Sequence, residues 1–208
     1  MTDARQICIV DDDDAVLDSL RLYFESKGVQ VRVFTSAASF LEALASGVEP
    51  SCLVSDVRMP GMTGLELQGE LTSRATVFPI IFITGHGDVP MAVAAFRNGA
   101  HDFIEKPFDE QRLLSAIEDA IKATGQRYAE REAIALIAAR IDELSNRQRQ
   151  VMDLAVRGLS NKEIAQQLGV SPRTVETYRA WVMEKMGARN LAALVRMAMR
   201  VEEREKSG

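Results

Sequence analysis

The chain has 208 residues, of which 47% are hydrophobic and 26% are charged, a composition typical of a globular protein of about one to two domains. The sequence has no run of about 18 apolar residues, and its first five residues are not apolar and lead directly into a predicted strand, so it predicts neither a membrane span nor an export signal. The net charge of −5 divides unevenly: residues 1–124 contain 19 acidic and 10 basic side chains, and residues 125–208 contain 11 and 15. An acidic first part and a basic second part favour two separate roles, the second of them involving a polyanion.

The two cysteines, Cys8 and Cys52, lie far apart and each is inside an apolar run. Such positions are typical of buried core thiols and not of a disulfide or a metal pair. Because free thiols persist in reducing compartments, we expect the protein to be cytoplasmic.

The first 124 residues alternate short β-branched runs with helical patterns. Helix starts are predicted at Ser36, at Thr63 with Glu66 as a capping box, and at Asp88 and Asp109. The alternation predicts βαβ units, and therefore an α/β fold with a parallel sheet covered by five helices on its two faces. The five predicted strands are 6–10, 29–34, 52–55, 80–84 and 102–105.

After Ala123 the strand signals cease. Residues 125–143 are predicted to form a charged helical linker, and residues 144–208 contain only helical patterns. We therefore expect three segments: an α/β domain at 1–124, the helical linker at 125–143 and a small all-α domain at 144–208.

Polar side chains follow four of the predicted strands: Asp11 and Asp12 after strand 1, Asp56 after strand 3, Thr84 after strand 4 and Lys106 after strand 5. Ligands of open α/β sheets bind outside the carboxyl ends of the strands, so we expect these groups to converge. Clustered carboxylates repel unless a cation lies among them, and Mg²⁺ prefers such oxygen ligands. The hydroxyl and the ammonium group suit phosphoryl oxygens. A solvated loop with a routine salt bridge is the alternative.

Four segments resemble the receiver domain of two-component regulators: IVDDD (9–13), SDVRMPG (55–61), FITGHGDVP (82–90) and DFIEKPF (102–108). The stretch 84–90 is similar to the FixJ branch of that family. The resemblance implies a doubly wound five-stranded sheet in the order 2-1-3-4-5. It also implies that Asp56 is the phosphoacceptor and that a sensor histidine kinase is the phosphodonor.

The same resemblance implies a magnesium site. Asp12 and Asp56 would bind Mg²⁺ directly, together with the backbone carbonyl of Arg58, while Asp11 would act through water.

The resemblance further implies that Thr84 and Lys106 hold the phosphoryl oxygens and that the Lys106–Pro107 bond is cis. Movement of Thr84 toward the phosphoryl group would open space that Phe103 fills by turning inward. This Thr84–Phe103 pair is the expected switch, and a plain core role for Phe103 is the alternative.

A magnesium-dependent phosphatase of the haloacid-dehalogenase kind is the rival interpretation, because it also uses an aspartyl nucleophile on a parallel sheet. Such enzymes carry Asp-x-Asp followed by Thr or Val on strand 1. Here strand 1 ends in Asp-Asp-Asp-Asp-Ala and no cap domain follows. We therefore expect a regulator and not an enzyme.

Three helix starts follow one another in the last segment. Ser145 and Ser160 open capping boxes, and Ser171 precedes Pro172. A short helix at 161–168, a turn at 169–170 and a longer helix to residue 186 form the layout of a helix-turn-helix. Residues 145–208 carry 12 basic and 7 acidic side chains, which indicates binding to a phosphate backbone. A helical dimerisation module with a solvated basic face is the alternative.

Residues 144–202 resemble the LuxR/FixJ-type DNA-binding domain through the segments at 144–151, 158–165 and 171–176. In that family the second helix of the motif enters the major groove of double-stranded DNA. The predicted phosphate contacts are Lys162, Arg173 and Arg179, and the predicted base-edge contacts are Thr174, Glu176 and Thr177.

The predicted linker carries Ile134, Ile137, Ile141 and Leu144 at heptad spacing. An apolar seam of fewer than two heptads is too short to hold a dimer by itself. We therefore expect this helix either to pack on its own domain or to assist a dimer. Together the two resemblances predict a phosphorylation-controlled transcription regulator that forms a homodimer when phosphorylated, binds DNA and acts on the transcription machinery.

Overall fold

The structure is a computed structural model that describes residues 6–85 and 89–207, with side chains as far as Arg204. The helix start predicted at Asp88 lies outside these residues. The chain divides into two compact units, Met1–Gln126 and Arg127–Gly208. Within the described residues, we find no helix with the length and apolar character needed to cross a membrane.

The first unit is built on a parallel sheet in the order β2-β1-β3-β4-β5, which confirms the predicted α/β fold. Asp56 ends its strand opposite Ile83, and Thr84 is the next residue of the neighbouring strand. Parallel pairing therefore brings the predicted polar side chains to one edge of the sheet. The strands are β1 Gln6–Val10, β2 Gln30–Phe34, β3 Cys52–Asp56, β4 Ile80–Thr84 and β5 Asp102–Glu105.

Five helices connect and follow these strands. Ser36 caps α2 by accepting a hydrogen bond from the backbone N–H of Ser39, and Thr63 and Glu66 form the predicted capping box at the start of α3. The fifth of these helices extends past residue 124, at which the first segment was predicted to end. The helices are α1 Asp14–Ser26, α2 Ala37–Ala45, α3 Gly64–Ser73, α4 Val89–Arg97 and α5 Glu110–Asp142.

Each face of the sheet has its own hydrophobic core, because successive side chains of a strand point to opposite faces. Cys8 belongs to the core that contains Phe40 and Phe82, whereas Cys52 belongs to the core that contains Phe24 and Ile83. Both cysteines are buried and free, as predicted. Their location on opposite faces explains why no disulfide joins them.

The second unit is helical throughout its described residues and contains the predicted helix-turn-helix. Gly169 ends α7 in the left-handed conformation with φ 65°, which a side chain would strain, and Ser171 caps α8 through the N–H of Thr174. The helices are α6 Asn146–Val156, α7 Asn161–Leu168, α8 Pro172–Met186 and α9 Leu191–Ser207.

The last turns of α5 pack on this second unit. Ile137, Ile141 and Leu144 are buried in one core with residues of α6, α8 and α9. Arg140 Nη1 donates to the carbonyl of Met186 at the end of α8, at 3.0 Å. Of the two interpretations of the heptad spacing, the structure therefore shows the helix packed on its own domain.

Candidate functional site

Three carboxylates meet at the carboxyl ends of β1 and β3. Asp11, Asp12 and Asp56 each offer one oxygen, and these three oxygens lie within 4.8 Å of one another. Asp11 is fully buried, Asp56 is 8% exposed and Asp12 is exposed. The cluster therefore has a buried floor and one side open to solvent.

A single ammonium group from the end of β5 pairs with two of these carboxylates. Lys106 Nζ lies 2.6 Å from Asp11 Oδ2 and 2.9 Å from Asp56 Oδ2. The remaining oxygens accept backbone hydrogen bonds, since Asp13 N donates to Asp11 Oδ1 and Arg58 N donates to Asp56 Oδ1, both at 3.0 Å. Lys106 also begins the cis peptide bond to Pro107 that was predicted.

Burial and pairing compete in setting the protonation of this pocket. Burial raises the pKa of Asp11 above its usual range, although hydrogen bonds from Lys106 and Asp13 N lower it. Burial lowers the pKa of Lys106, but its hydrogen bonds to Asp11 and Asp56 and their charges outweigh burial and raise the pKa overall. The ammonium group therefore stays charged, while the pocket keeps an excess of negative charge.

The donor set fits a magnesium ion. All three side chains supply hard oxygen ligands, and one lysine does not neutralise three carboxylates. The exposed side of Asp12 leaves room for water and for a phosphoryl oxygen, which Mg²⁺ normally keeps in its shell. The acidic pocket predicted from the strand ends is thus assembled.

The predicted switch residues lie on the two strands beside the pocket. Thr84 is buried at the end of β4, and its carbonyl accepts a hydrogen bond from Lys106 N at 2.7 Å. Phe103 on β5 is half-buried and tilted against Phe82, with ring centroids 6.4 Å apart. Part of the Phe103 side chain is therefore packed on the core and part is accessible.

Gly64, the first residue of α3, packs directly on the backbone of Asp56. A Cβ at this position would lie 2.2 Å from the carbonyl oxygen of Asp56 and 3.0 Å from both Phe82 Cε1 and Ser55 Oγ. Its N–H donates to the carbonyl of Val57 at 3.0 Å. Sequence reasoning missed this residue, because the capping box predicts where α3 begins but not what its first turn touches.

An apolar stripe on α4 was also missed. Val89 is 76% exposed, and Val93 and Phe96 follow it at spacings of four and three residues, both exposed. Arg97, at the end of α4, is exposed as well. The helical spacing of the three apolar residues was the signal that could have identified this face.

The six predicted DNA contacts do not share one environment. Lys162, Arg173, Glu176 and Thr177 are exposed, whereas Thr174 and Arg179 are half-buried. Arg179 Nη1 donates to Asn161 Oδ1 at 2.9 Å, so this side chain braces α8 against the start of α7.

Comparison with known families accounts for both units. The family described as the response regulator receiver domain matches residues 7–118, and the family described as bacterial regulatory proteins, luxR family, matches residues 142–198. The chain therefore belongs to the response regulators that join a receiver domain to a LuxR-type DNA-binding domain.

Relatives with known roles match nearly the whole chain. The transcriptional regulatory protein FixJ of Bradyrhizobium diazoefficiens is 50% identical over 96% of this chain and 97% of its own length. FixJ of Rhizobium meliloti is 48% identical over 92% of this chain and 93% of its own length.

Two solved structures match nearly the whole chain. The response regulator StyR is 42% identical with a TM-score of 0.78, covering 95% of this chain and 99% of its own. Full-length FixJ from B. japonicum is 48% identical with a TM-score of 0.60, covering 96% and 98%.

These matches confirm the predicted class. The protein is a FixJ-like regulator whose receiver domain controls transcription through phosphorylation and whose second domain binds DNA. The family consists of transcription regulators, which are not enzymes, and a kinase and DNA are the partners that its two domains imply.

Proposed function

We propose that Asp56 is the phosphoacceptor and that a sensor histidine kinase supplies the phosphoryl group. The observation that carries this proposal is the position of the Asp56 carboxylate, which ends a strand, is 8% exposed and lies between Lys106 Nζ and Arg58 N at 2.9 and 3.0 Å. Two further carboxylates within 4.8 Å complete the acidic pocket.

In the proposed transfer, a carboxylate oxygen of Asp56 attacks the phosphorus of a phosphohistidine. The new oxygen–phosphorus bond forms an acyl phosphate as the phosphorus–nitrogen bond breaks, and the imidazole leaves with the electron pair and takes up a proton. Lys106 gains a partner for its charge in the phosphoryl oxygens, and Thr84 supplies a hydroxyl from the end of β4.

Asp12, Asp56 and the carbonyl of Arg58 would hold Mg²⁺, with Asp11 acting through water. The ion, when bound, would neutralise charge that develops on the transferring phosphoryl oxygens.

Phosphorylation would then act through Thr84 and Phe103. Thr84 moves toward the new oxygens and Phe103 turns into the space released, which repositions β5 and the neighbouring α4. The half-buried state of Phe103 supports this proposal, because part of its surface is still accessible and would be covered when the ring turns inward.

The receiver face formed by α4, β5 and the first turns of α5 would form a homodimer after phosphorylation. Its exposed apolar stripe at Val89, Val93 and Phe96 supplies area to bury. Exposed charges of both signs surround it, which suits a two-fold interface in which each charge meets its opposite on the second copy. These charges are Arg97, Glu105, Arg112 and Glu118.

Dimerisation would tighten DNA binding because it places two copies of α8 on two half-sites. Once one copy is bound, the other meets its half-site at an effective concentration near millimolar, which can raise avidity by roughly 10²–10⁴. We assign phosphate contacts to Lys162, Arg173 and the remaining N–H groups of Arg179, and base contacts to Thr174, Glu176 and Thr177.

We also propose that the chain consists of a receiver domain at 1–124, a helical linker at 125–143 and a DNA-binding domain at 144–208. The family matches over 7–118 and 142–198 support the two domains.

The proposed function places the protein in the cytoplasm, where chromosomal DNA is available to it, and makes the bound dimer a contact for the transcription machinery. It also excludes turnover of phosphomonoesters, which a phosphatase assay tests directly.

Phosphorylation by acetyl phosphate tests the acceptor. After borohydride reduction, mass spectrometry should find one modified residue, Asp56, and chelation of Mg²⁺ should abolish the modification. Asp56→Asn should remove it, while Asp14→Asn, which changes an exposed carboxylate near the pocket, should leave it unchanged. Labelling that survives in Asp56→Asn would contradict the assignment.

A further inference from the structure

The outward side of α8 carries a large aromatic side chain that the fold leaves uncovered. Trp181 is 47% exposed. It lies four residues after Thr177 and eight after Arg173, which puts the three residues on one side of the helix. A large aromatic side chain left in solvent beside basic residues indicates an interaction surface.

The indole is braced from the core side. Tyr178 packs edge to face against Trp181, with ring centroids 5.5 Å apart and an interplanar angle of 82°. Tyr178 itself packs against the hydrophobic core around Val151, Ile164 and Val175. Because the ring is already held, little rotational freedom is lost when a ligand contacts it.

Trp181 forms one wall of a groove with a volume of about 240 Å³. The hydroxyls beside it have partners within α8: Thr177 Oγ1 donates to the Arg173 carbonyl at 3.1 Å, and Thr174 Oγ1 and Ser171 Oγ share a hydrogen bond of 2.8 Å. The groove is lined by Ser171, Arg173, Thr174, Thr177, Tyr178 and Trp181.

Because each of these hydroxyls is engaged in a hydrogen bond within α8, the groove offers a ligand apolar surface together with the N–H groups of Trp181 and Arg173. The indole face and the threonine methyl groups supply the apolar surface. Among the described residues, none accepts a hydrogen bond from the indole N–H of Trp181 or the guanidinium of Arg173. Such a groove fits an apolar group that has a hydrogen-bond acceptor next to it.

In the major groove of DNA, thymine presents this combination, because its 5-methyl group lies beside the O4 acceptor. Cytosine presents an amino donor without the methyl group, and the purine edges carry no methyl group. We infer that Trp181 reads a thymine of the operator through its 5-methyl group, while Arg173 binds a neighbouring phosphate. This inference rests on the proposed entry of α8 into the major groove.

Fluorescence of the unmodified chain tests the contact, because Trp181 is the one tryptophan of the sequence. Duplexes are first selected from a random pool with full-length protein treated with acetyl phosphate and Mg²⁺. A saturating amount of a selected duplex should shift the tryptophan emission to shorter wavelength and reduce its quenching by acrylamide. Unchanged emission and quenching with the duplex bound would overturn the inference.

Replacement of single thymines by deoxyuridine then identifies the base, since it removes only the 5-methyl group. Replacement at one position in each half-site should raise the Kd about 3- to 5-fold, which is the effect expected from the loss of one buried methyl group. Trp181→Ala should bind the thymine duplex more weakly and should no longer distinguish deoxyuridine at that position. Tyr128→Ala is the matched control, because it removes another exposed aromatic side chain and lies in α5.

The outcomes separate this inference from the function on which it rests. If duplexes are selected and bound but the deoxyuridine penalty persists in Trp181→Ala, the thymine contact is wrong and DNA binding by α8 stands. If no duplex is bound, the proposed role of α8 fails and the inference fails with it. Circular dichroism of Trp181→Ala should match that of the original chain, since the side chain is exposed.

Discussion

The acidic pocket and the outward face of α8 both present charged side chains to a ligand, but they hold them differently. In the pocket, Asp11 and Asp56 are buried, and each carboxylate is bonded to Lys106 and to a backbone N–H. On α8, Arg173 and Glu176 are exposed, and no ion pair among the described residues holds either one.

This difference predicts two kinds of response to substitution. Groups in a shared buried network are strongly coupled, so a change in the pocket should disturb every partner. Exposed groups are surrounded by water, so a change on α8 should remove one contact and leave the fold intact.

The strands that lead to the acidic pocket, β1 and β3, also carry the buried thiols of Cys8 and Cys52. These thiols show how burial changes a pKa when no partner such as Lys106 is present. Burial raises the pKa of Cys8 from 9.0 to about 11, although the charge of Arg32 lowers it, and burial raises the pKa of Cys52 further. At pH 8 we expect alkylation of Cys8 by iodoacetamide to be at least about a hundredfold slower than in the unfolded chain, because the thiol is both less ionised and out of contact with solvent, and we expect Cys52 to be slower still. Mass spectrometry of native and denatured samples measures both rates. Rapid modification of either thiol in the native protein would contradict the burial argument.

Gly64→Ala tests the pocket without changing a charged group. A Cβ 2.2 Å from the Asp56 carbonyl must displace the backbone of either α3 or β3. We expect the rate of phosphorylation by acetyl phosphate to fall at least about tenfold and the free energy of unfolding to fall by about 1–3 kcal/mol.

Gly69→Ala is the matched control for that substitution. Gly69 lies in the same helix, and an added Cβ there meets no atom within 4 Å. This change should stabilise the protein by about 0.5–1 kcal/mol and leave phosphorylation unchanged. Equal phosphorylation rates in the two variants would show that the close packing of α3 on Asp56 has no functional consequence.

Arg140→Met tests a half-buried contact in the second unit, which is intermediate between the buried acidic pocket and the exposed face of α8. Its guanidinium donates to the Met186 carbonyl at the end of α8, where the helix dipole also favours a positive charge. We expect a loss of about 1–2 kcal/mol in the free energy of unfolding of this unit, measured by denaturant titration with Trp181 fluorescence. Lys185→Met removes an exposed contact to the Glu143 carbonyl and should cost less than about 0.5 kcal/mol. A larger loss in Lys185→Met would reverse the expected ranking.

The pocket could be predicted from the sequence residue by residue, whereas the DNA-binding surface could not. Parallel strand pairing puts the residues after β1, β3 and β5 at one edge, so chain order alone brings Asp11, Asp56 and Lys106 together. On α8, helical periodicity separates inward from outward positions, as buried Val175, Val182 and Met186 show.

Periodicity does not predict which outward side chains find partners. Arg179 is tied to Asn161 through a contact that depends on the packing of α8 against α7. Gly64 was missed for a related reason: its contact with Asp56 joins a helix start to a strand end eight positions earlier in the chain. Tertiary packing, and not local pattern, determines these two positions.

The smallest expected effect concerns one exposed charge on α8. Arg173→Ala should weaken DNA binding and lower the slope of log K against log salt concentration by about 0.9 per protomer, because each lost phosphate contact retains one more counterion on DNA. Since Arg173 is exposed and has no ion-pair partner among the described residues, the free energy of unfolding should change by less than about 0.5 kcal/mol. Arg200→Ala, an exposed arginine of α9, should leave the slope unchanged. Fluorescence anisotropy with a labelled duplex across a range of salt concentrations measures both variants. If Arg173→Ala keeps the original slope while Arg200→Ala lowers it, the phosphate-binding face lies on α9 and the assignment to α8 is wrong.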